Sequence, residues 1–211
     1  MSKRFDGSSA YWEKRYRTGG NSGKGSYGEL ARFKAKVLND FVADQEVRTV
    51  AEFGCGDGGQ LSLAKYEKYV GYDVSPTALE MCRKMYAKDA SKEFLHVRDY
   101  AGHKVDLVLS LDVLFHLTED EVFDEYMRRL FAASAKYIAI YCSNEDRPIN
   151  PKSPHVRHRR FSTWIAKHAP EFQLIRRVPN RFRGNTRTTE GYTSPSDFYF
   201  YEKVSSDSTS H

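Results

Sequence analysis

Two carboxylates and a run of glycines in the stretch TVAEFGCGDGGQLSLAKYEKYVGYDVSP have the types and spacing of a ligand site. Glu52 precedes Gly54, Gly56 and Gly58, and Asp73 follows 19 residues after the first glycine. Glycine costs backbone entropy and fills no core, so glycines clustered after a strand indicate a tight turn close to a ligand. An acid at this distance can accept hydrogen bonds from both hydroxyls of a ribose. The pattern therefore predicts an adenosine-type nucleoside as the ligand.

The glycines alone leave two kinds of nucleotide open, because Gly54, Gly56 and Gly59 also fit the dinucleotide spacing GxGxxG. The acids distinguish them, since Glu52 precedes the turn and Asp57 lies within it. Carboxylates there would repel a pyrophosphate, whereas they favour an ammonium or a sulfonium group. The alternative without any ligand is a glycine-rich turn that serves packing alone.

The elements that must position these residues alternate along the chain. Serine followed by proline in DVSPTALE is a typical helix start, and Thr118 with Glu121 has the spacing of a capping box. The alternation predicts an α/β domain with a largely parallel sheet covered on both faces. Apolar patterns predict strands at RTVAEF, KYVGYD, KEFLHV, KVDLVLSL, KYIAIYCS, FQLIRRVP and SDFYFYEKV, and helices at YWEKRYRT, ELARFKAKVLNDFV, SPTALEMCRK, TEDEVFDEYMRRLF and FSTWIAKHA, with a further short helix directly after the glycines.

The glycine motif and the acid after the second strand resemble those of the class I S-adenosylmethionine-dependent methyltransferases. VAEFGCGDG is similar to the E/DxGxGxG motif of that family, and YVGYDVS to its second acidic motif, within a resemblance that covers about Val47 to Ser143. It implies S-adenosyl-L-methionine as cofactor and a Rossmann-like fold, whose mostly parallel seven-stranded sheet has an antiparallel last strand. No NPPY-type tetrapeptide follows the fourth strand, which argues against amino-group methylation of bases or glutamine and favours an oxygen acceptor.

The resemblance also implies cofactor contacts from four turns, each at the end of a strand. The glycine turn would carry the backbone past the cofactor, with its first acid orienting the motif and its second near the methionine end. The next turns would hold the ribose, pack on the adenine, reach its exocyclic amine and cradle the methionine moiety. In chain order the residues are Glu52, Gly54, Gly56, Asp57 and Gly58; Asp73 and Val74; Asp99 and Tyr100; and Ser110, Leu111 and Asp112.

His116 lies one turn beyond the fourth strand, in DVLFHLTEDE. Many small-molecule methyltransferases of this class look similar here and carry a histidine, which implies a catalytic role. A histidine that helps to cap the following helix is the alternative, and the residues leave both open.

The N-terminal stretch WEKRYRTGGNSGKGSYG arranges Trp12, Tyr16 and Tyr27 around a glycine–serine loop. Such a loop could fold over the cofactor as a lid, because glycine permits a hinge and aromatic rings exclude water. We expect Trp12 and Tyr16 to contact the cofactor and Tyr27 the substrate. The alternative is an ordinary N-terminal helix that packs on the sheet.

Positive charge is concentrated in residues 147–187, which hold 11 Lys and Arg residues against one acid. The rest of the chain carries 22 basic and 27 acidic residues, so the net charge of +5 originates in this segment and indicates an anionic partner. Guanidinium groups pair bidentately with phosphate or carboxylate. Within the segment, HVRHRRF predicts an oxyanion site for the acceptor, and a solvated charged face is the alternative. Its candidate residues are His155, Arg157, His158 and Arg159.

The layout as a whole resembles small methyltransferases of natural-product, including antibiotic, and surface-polysaccharide pathways, some of them phosphonate or phosphoramidate O-methyltransferases. It implies methyl transfer from S-adenosylmethionine to an oxygen of a small anionic acceptor such as a phosphonate. One alternative is an RNA methyltransferase that docks through residues 147–187. Another is methylation of a sugar or phenol hydroxyl with His116 as base. A third is a cofactor-binding module without turnover.

Composition and motifs exclude several other classes. The N-terminus lacks the apolar core of a signal peptide, and the longest apolar stretches are too short to span a bilayer. Cys55, Cys82 and Cys142 form no CxxC pair, and the chain has no HExxH motif. We therefore expect free thiols, metal-independent turnover and a cytoplasmic monomer or homodimer.

The length fits one domain. We expect it to span residues 1–204, with an N-terminal helical lid over 1–45 and a Rossmann-like core over 46–204. Residues 205–211, with the sequence SSDSTSH, are polar and are predicted to be disordered.

Overall fold

A single sheet organises the protein in the computed structural model, which describes residues 7–204. Its seven strands follow the order β3-β2-β1-β4-β5-β7-β6. The first five in this order run parallel to one another, and β7 runs antiparallel to both β5 and β6. The predicted mostly parallel sheet with an antiparallel last strand is confirmed. The strands are β1 Thr49–Phe53, β2 Lys68–Asp73, β3 Lys92–His96, β4 Val105–Leu111, β5 Ser134–Cys142, β6 Phe172–Val178 and β7 Asp197–Lys203.

Helices cover both faces of this sheet, so side chains that alternate along a central strand enter two separate cores. On β4, Val108 packs with residues of α4 and α5, whereas Leu107 and Leu109 pack with residues of α2 and α3. Burial on both sides explains why the central strands are continuously apolar in sequence. The helices are α1 Ser8–Arg17, α2 Gly28–Asp44, α3 Pro76–Met85, α4 Asp120–Ala132 and α5 Phe161–His168.

The two predicted helix starts have different outcomes. The Ser75 side chain accepts a hydrogen bond from the backbone N–H of Ala78 at 3.1 Å, as predicted for the start of α3. The capping box at the start of α4 is wrong, because the Thr118 hydroxyl donates to the neighbouring Glu119 carboxylate instead. That carboxylate also accepts from the backbone and the hydroxyl of Ser8, both at 2.8 Å. Its partners therefore join α1 to α4 rather than close a capping box.

A buried acid neutralises part of the basic segment, residues 147–187. Asp197, at the start of β7, is fully buried and lies 2.6 Å from Arg177 and 3.0 Å from Arg183. It also accepts a hydrogen bond from the backbone N–H of Asn180 at 3.0 Å. Charge that looked uncompensated along the sequence is thus paired with an acid outside the segment. Among residues 7–204, no helix combines the length and the apolar character that crossing a membrane requires.

Candidate active site

The sheet order reverses between β1 and β4, which is where ligands bind in open α/β sheets. A cavity of about 680 Å³ opens at this point. It is lined by residues from the ends of β1, β2 and β4 and by the N-terminal arm, the name used here for residues 7–27. The sequence-predicted residues that line it are Trp12, Tyr16, Glu52, Gly54, Gly56, Asp73, Val74, Leu111, Asp112, His116 and His155.

The glycine turn after β1 has a backbone that only glycine adopts without strain. Gly54 and Gly56 have φ of 84° and 57°. A Cβ atom on Gly54 would lie 2.5 Å from Val113, and one on Gly56 would overlap Ser22. The N–H of Gly56 donates to the Asp73 carboxylate at 2.9 Å, which ties the turn to the end of β2. The turn is therefore held open toward the cavity by both strands.

Asp73 and Glu52 are both buried carboxylates beside this turn. Asp73 accepts one hydrogen bond on each oxygen, from the N–H groups of Gly56 and Ser75, both at 2.9 Å. Because a carboxylate has about four acceptor positions, Asp73 retains acceptor capacity toward the cavity. Burial raises its pKa, and burial raises the pKa of Glu52 to about 7 against the hydrogen bond from Tyr69.

The N-terminal arm lies across the glycine turn. The Ser22 N–H donates to the Asp57 carboxylate at 2.8 Å, and the Ser22 hydroxyl accepts from the Asp57 N–H at 3.0 Å. Tyr16 contacts the Ser22 hydroxyl at 2.9 Å, and the Glu13 carboxylate accepts from the Ser75 hydroxyl at 2.6 Å. These contacts hold the arm against the glycine turn and the start of α3, and the lid over the cofactor stays a prediction.

Asp57, Gly58 and Tyr27 do not line the main cavity. The Asp57 carboxylate accepts hydrogen bonds from Ser22, from the Tyr27 hydroxyl at 2.6 Å and from the N–H of Gly59. Its acceptor positions serve the arm rather than a ligand, and these bonds lower its pKa against the effect of burial. Tyr27 lines a second, smaller cavity of about 430 Å³ beside the arm.

Asp99, Tyr100 and Ser110, predicted around the cofactor, are also outside the lining. Asp99 is exposed, and Tyr100 packs edge-on against Tyr72 with ring centroids 5.7 Å apart. The Ser110 hydroxyl accepts from Tyr126 at 2.8 Å. β3 ends at His96, before VRDY begins, so the residues nearest the end of this strand form the wall of the cavity. They are His96, Val97 and Arg98.

His116 lines the cavity from the turn after β4. Its Nδ1 lies 3.1 Å from the backbone carbonyl oxygen of His155. A carbonyl only accepts, so Nδ1 carries the proton and Nε2 is an acceptor. Burial lowers the pKa of His116 to about 4, which keeps the ring neutral at neutral pH. The edge of this ring meets Trp12, with centroids 4.8 Å apart.

A buried cation that sequence reasoning missed lies deeper in the cavity. Lys34 has an exposed fraction of 1% and pairs with Asp112 at 2.9 Å. The other oxygen of Asp112 accepts from Ser196 at 3.1 Å. The helical spacing in α2 indicated this burial, because Lys34 lies four residues after Leu30 and four before Leu38, on the buried face of the helix.

The predicted oxyanion site does not form as expected. His155 lines the cavity, whereas Arg157, His158 and Arg159 do not. Arg157 and Arg159 share the Asp120 carboxylate, at 2.9 and 3.0 Å. Both guanidinium groups also donate to the backbone carbonyl of Thr118. His158 lies 2.5 Å from the Ser143 hydroxyl. The two arginines fasten the segment after β5 to α4, because their guanidinium groups find an acid and carbonyls there.

No three His, Cys, Asp or Glu side chains within residues 7–204 are grouped as a metal site would require. Metal-independent turnover stays a prediction. All three cysteines are buried free thiols.

Two solved methyltransferase structures share this fold. The magnesium protoporphyrin IX methyltransferase from Synechocystis PCC 6803, solved with bound S-adenosylhomocysteine, is 18% identical, with 92% of this chain and 97% of that chain covered and a TM-score of 0.63. The N-methyltransferase NodS from Bradyrhizobium japonicum WM9, in complex with S-adenosylhomocysteine, is 12% identical, with 95% and 100% covered and a TM-score of 0.67. At these identities the likeness establishes the fold alone.

A sequence comparison adds a family match over part of the chain. Residues 51–138, from β1 into β5, match a family model described as a methyltransferase domain. No curated protein matches the sequence. The matched segment contains the glycine turn, Asp73 and His116. Together with the fold, it supports a class I methyltransferase that uses S-adenosylmethionine as its cofactor.

Proposed function

We propose that this chain methylates a hydroxyl oxygen of a small anionic acceptor, such as a phosphonate that also carries a hydroxyl group. His116 is the general base of this reaction. The observation that carries the proposal is the tautomer of His116, whose Nδ1–H is directed to a carbonyl while Nε2 is an acceptor in a ring that lines the cavity. A nitrogen or a carbon acceptor would explain this arrangement of the His116 ring less directly than a hydroxyl acceptor does.

S-adenosylmethionine supplies a methyl group on a sulfonium, which needs no further activation. The chain's own part begins with holding this cofactor. Asp73 has the acceptor capacity for the ribose hydroxyls, and Val74 and Val97 offer apolar contact to the adenine. Trp12 and Tyr16 close the site from the arm, which excludes water from the reacting groups.

His116 then accepts the proton of the acceptor hydroxyl at Nε2 as the new oxygen–carbon bond forms. A base whose pKa is lowered to about 4 suffices, because the attacking oxygen becomes strongly acidic once it carries the methyl group. The carbonyl of His155 holds the ring in place and favours the imidazolium form after proton transfer. The proton leaves to solvent after product release.

The RNA alternative receives less support. It needs free cationic charge in residues 147–187, but Arg157 and Arg159 pair with Asp120, and two further arginines pair with Asp197.

Radiolabelled S-adenosylmethionine, incubated with separate panels of hydroxyphosphonates, sugar phosphates, phenols, amines and tRNA, tests the proposal. We expect the label in a small anion as an alkali-stable methyl ether. Label found only in tRNA or only on amine nitrogen would contradict the proposal.

Asp73→Ala tests the cofactor assignment. The change removes acceptors for the ribose, and hydrogen bonds to a charged group contribute about 2 kcal/mol, or roughly 30-fold in affinity. Calorimetric titration with S-adenosylhomocysteine should show this loss in a variant with an unchanged circular dichroism spectrum. An unchanged dissociation constant would remove Asp73 from the cofactor site.

A further inference from the structure

We propose that Arg15 and Lys24 form the subsite that binds the anionic group of the acceptor, a phosphate- or phosphonate-class oxyanion. The inference rests on the proposed function, because it names how the acceptor of that reaction is held. It moves the anion site from the segment after β5, where the sequence suggested it, to the N-terminal arm.

Arg15 has donors that no residue of the described chain uses. Its Nε donates to the carbonyl of Asn21 at 2.6 Å, which fixes the guanidinium plane. Within residues 7–204, its Nη groups donate no hydrogen bond and no carboxylate lies within ion-pair distance. Arg15 lines both the main and the smaller cavity. A guanidinium fixed at one nitrogen with the others open is suited to bidentate binding of an oxyanion.

Lys24 is the second cation that lines both cavities. Its ammonium lies 4.0 Å from the ring centroid of Tyr192, on the loop between β6 and β7. The ring orients the ammonium without neutralising its charge. Glu190, the acid that lines the smaller cavity, forms no ion pair with either cation among the described residues. Within residues 7–204, two cations therefore line the same two cavities without a carboxylate partner.

The subsite lies next to the candidate base. The Trp12 ring contacts both groups, with its centroid 4.8 Å from that of His116 and 5.6 Å from the Arg15 guanidinium carbon. Burial is the main cause of the lowered pKa of both His116 and His155, and the charge of Arg15 lowers both further. An acceptor held by Arg15 can thus present a neighbouring hydroxyl to His116.

The other cations of the cavity are less suited to this role. Lys34 is paired with Asp112, and Arg129 is paired with Glu125 at 2.6 Å. Arg98 follows β3, which β2 and β1 separate from the turn that carries His116. The carboxylate of the cofactor could bind Arg15 in the same way as the oxyanion of the acceptor, so the experiment must distinguish these two oxyanions.

Titration of inorganic phosphate into the full chain, saturated with S-adenosylhomocysteine, makes this separation by calorimetry. We expect wild type to bind phosphate, Arg15→Gln to weaken binding by about 10-fold or more, and Lys24→Gln by about 3-fold to 5-fold. Arg15→Lys should restore part of the affinity, because it keeps the charge without the planar fork. Arg17→Gln is the matched control, since Arg17 is an exposed residue of the same helix outside both cavities, and it should leave phosphate binding unchanged.

A second titration, with S-adenosylhomocysteine alone, distinguishes the sources of the oxyanion. We expect its affinity to change by less than about 3-fold in Arg15→Gln, since a bond to the cofactor carboxylate would cost more. A larger loss there, or wild type that binds no phosphate, would overturn the inference. Phosphate binding by a wild-type protein that transfers methyl to no hydroxyl acceptor would contradict the proposed function and leave this subsite standing.

Discussion

Replacing His116 by glutamine lowers kcat/KM for a hydroxyl acceptor by about 10²-fold to 10³-fold, the range expected when a general base is removed. Glutamine retains a donor for the carbonyl of His155 but provides no basic nitrogen toward the cavity. The affinity for S-adenosylhomocysteine should therefore stay within about 2-fold of wild type, because the ring is not needed to hold the cofactor. His168→Gln, at an exposed position at the end of α5, is the control for a histidine change that leaves kcat/KM intact.

The pH dependence of the wild-type rate provides the second readout for His116. Burial lowers the pKa of this histidine from 6.5 to about 4, so the base is neutral at every pH above that value. We expect the step in kcat/KM that belongs to His116 to lie near its pKa of about 4, where the base gains a proton. Burial raises the pKa of Glu52, which also lines the cavity, to about 7, and any step that it produces should persist in His116→Gln. Intrinsic fluorescence would verify that the protein remains folded at each pH. A step centred near 6.5 that His116→Gln abolishes, or a His116→Gln variant with wild-type kinetics, would rule out the buried histidine as the base.

The glycine turn and the acid of the candidate cofactor site could be predicted, because both are encoded in one short stretch of sequence. Gly54 and Gly56 need positive φ, and Asp73 ends the strand that pairs with theirs, so a single short stretch contains the turn and its acid. The same reasoning failed for Asp99. There β3 ends at His96 and a 3-10 turn over Val97–Asp99 follows, so the alternation of a strand no longer decides which side chain faces the cavity.

The acceptor part of the candidate site could not be predicted in the same way, because residues distant in sequence determine which of its charged groups form ion pairs. Arg157 looked free until Asp120, 37 positions earlier, was found beside it. Arg15 lies two positions after Glu13 in sequence, yet its guanidinium lies at the cavity without an ion pair among the described residues. Lys34 pairs with Asp112, 78 positions away. A run of charge in sequence indicates an anion site only where folding leaves that charge unpaired.

The largest loss of cofactor affinity is expected from Gly56→Ala. A Cβ atom at this position would overlap the Ser22 hydroxyl and lie 2.8 Å from the Tyr16 hydroxyl, both in the N-terminal arm. Its φ of 57° adds backbone strain of about 1–2 kcal/mol for a residue other than glycine. The arm must therefore move away from the glycine turn, and Trp12 and Tyr16 leave the cavity with it. Calorimetry should show the affinity for S-adenosylhomocysteine reduced by about 10²-fold or more, once strain and lost contacts combine.

Gly102→Ala separates strain from contact, because Gly102 has φ of 85° and nothing within 4 Å of its Cβ position. It should lower the free energy of unfolding by about 1–2 kcal/mol and leave the affinity for S-adenosylhomocysteine unchanged. The double variant Gly56→Ala/Ser22→Gly removes the hydroxyl that the new methyl group meets, and it should recover part of the lost affinity. Recovery would locate the defect in the contact between arm and turn. If Gly56→Ala binds S-adenosylhomocysteine as tightly as wild type does, the arm is not a cover for the cofactor, and the roles proposed for Trp12 and Tyr16 are wrong.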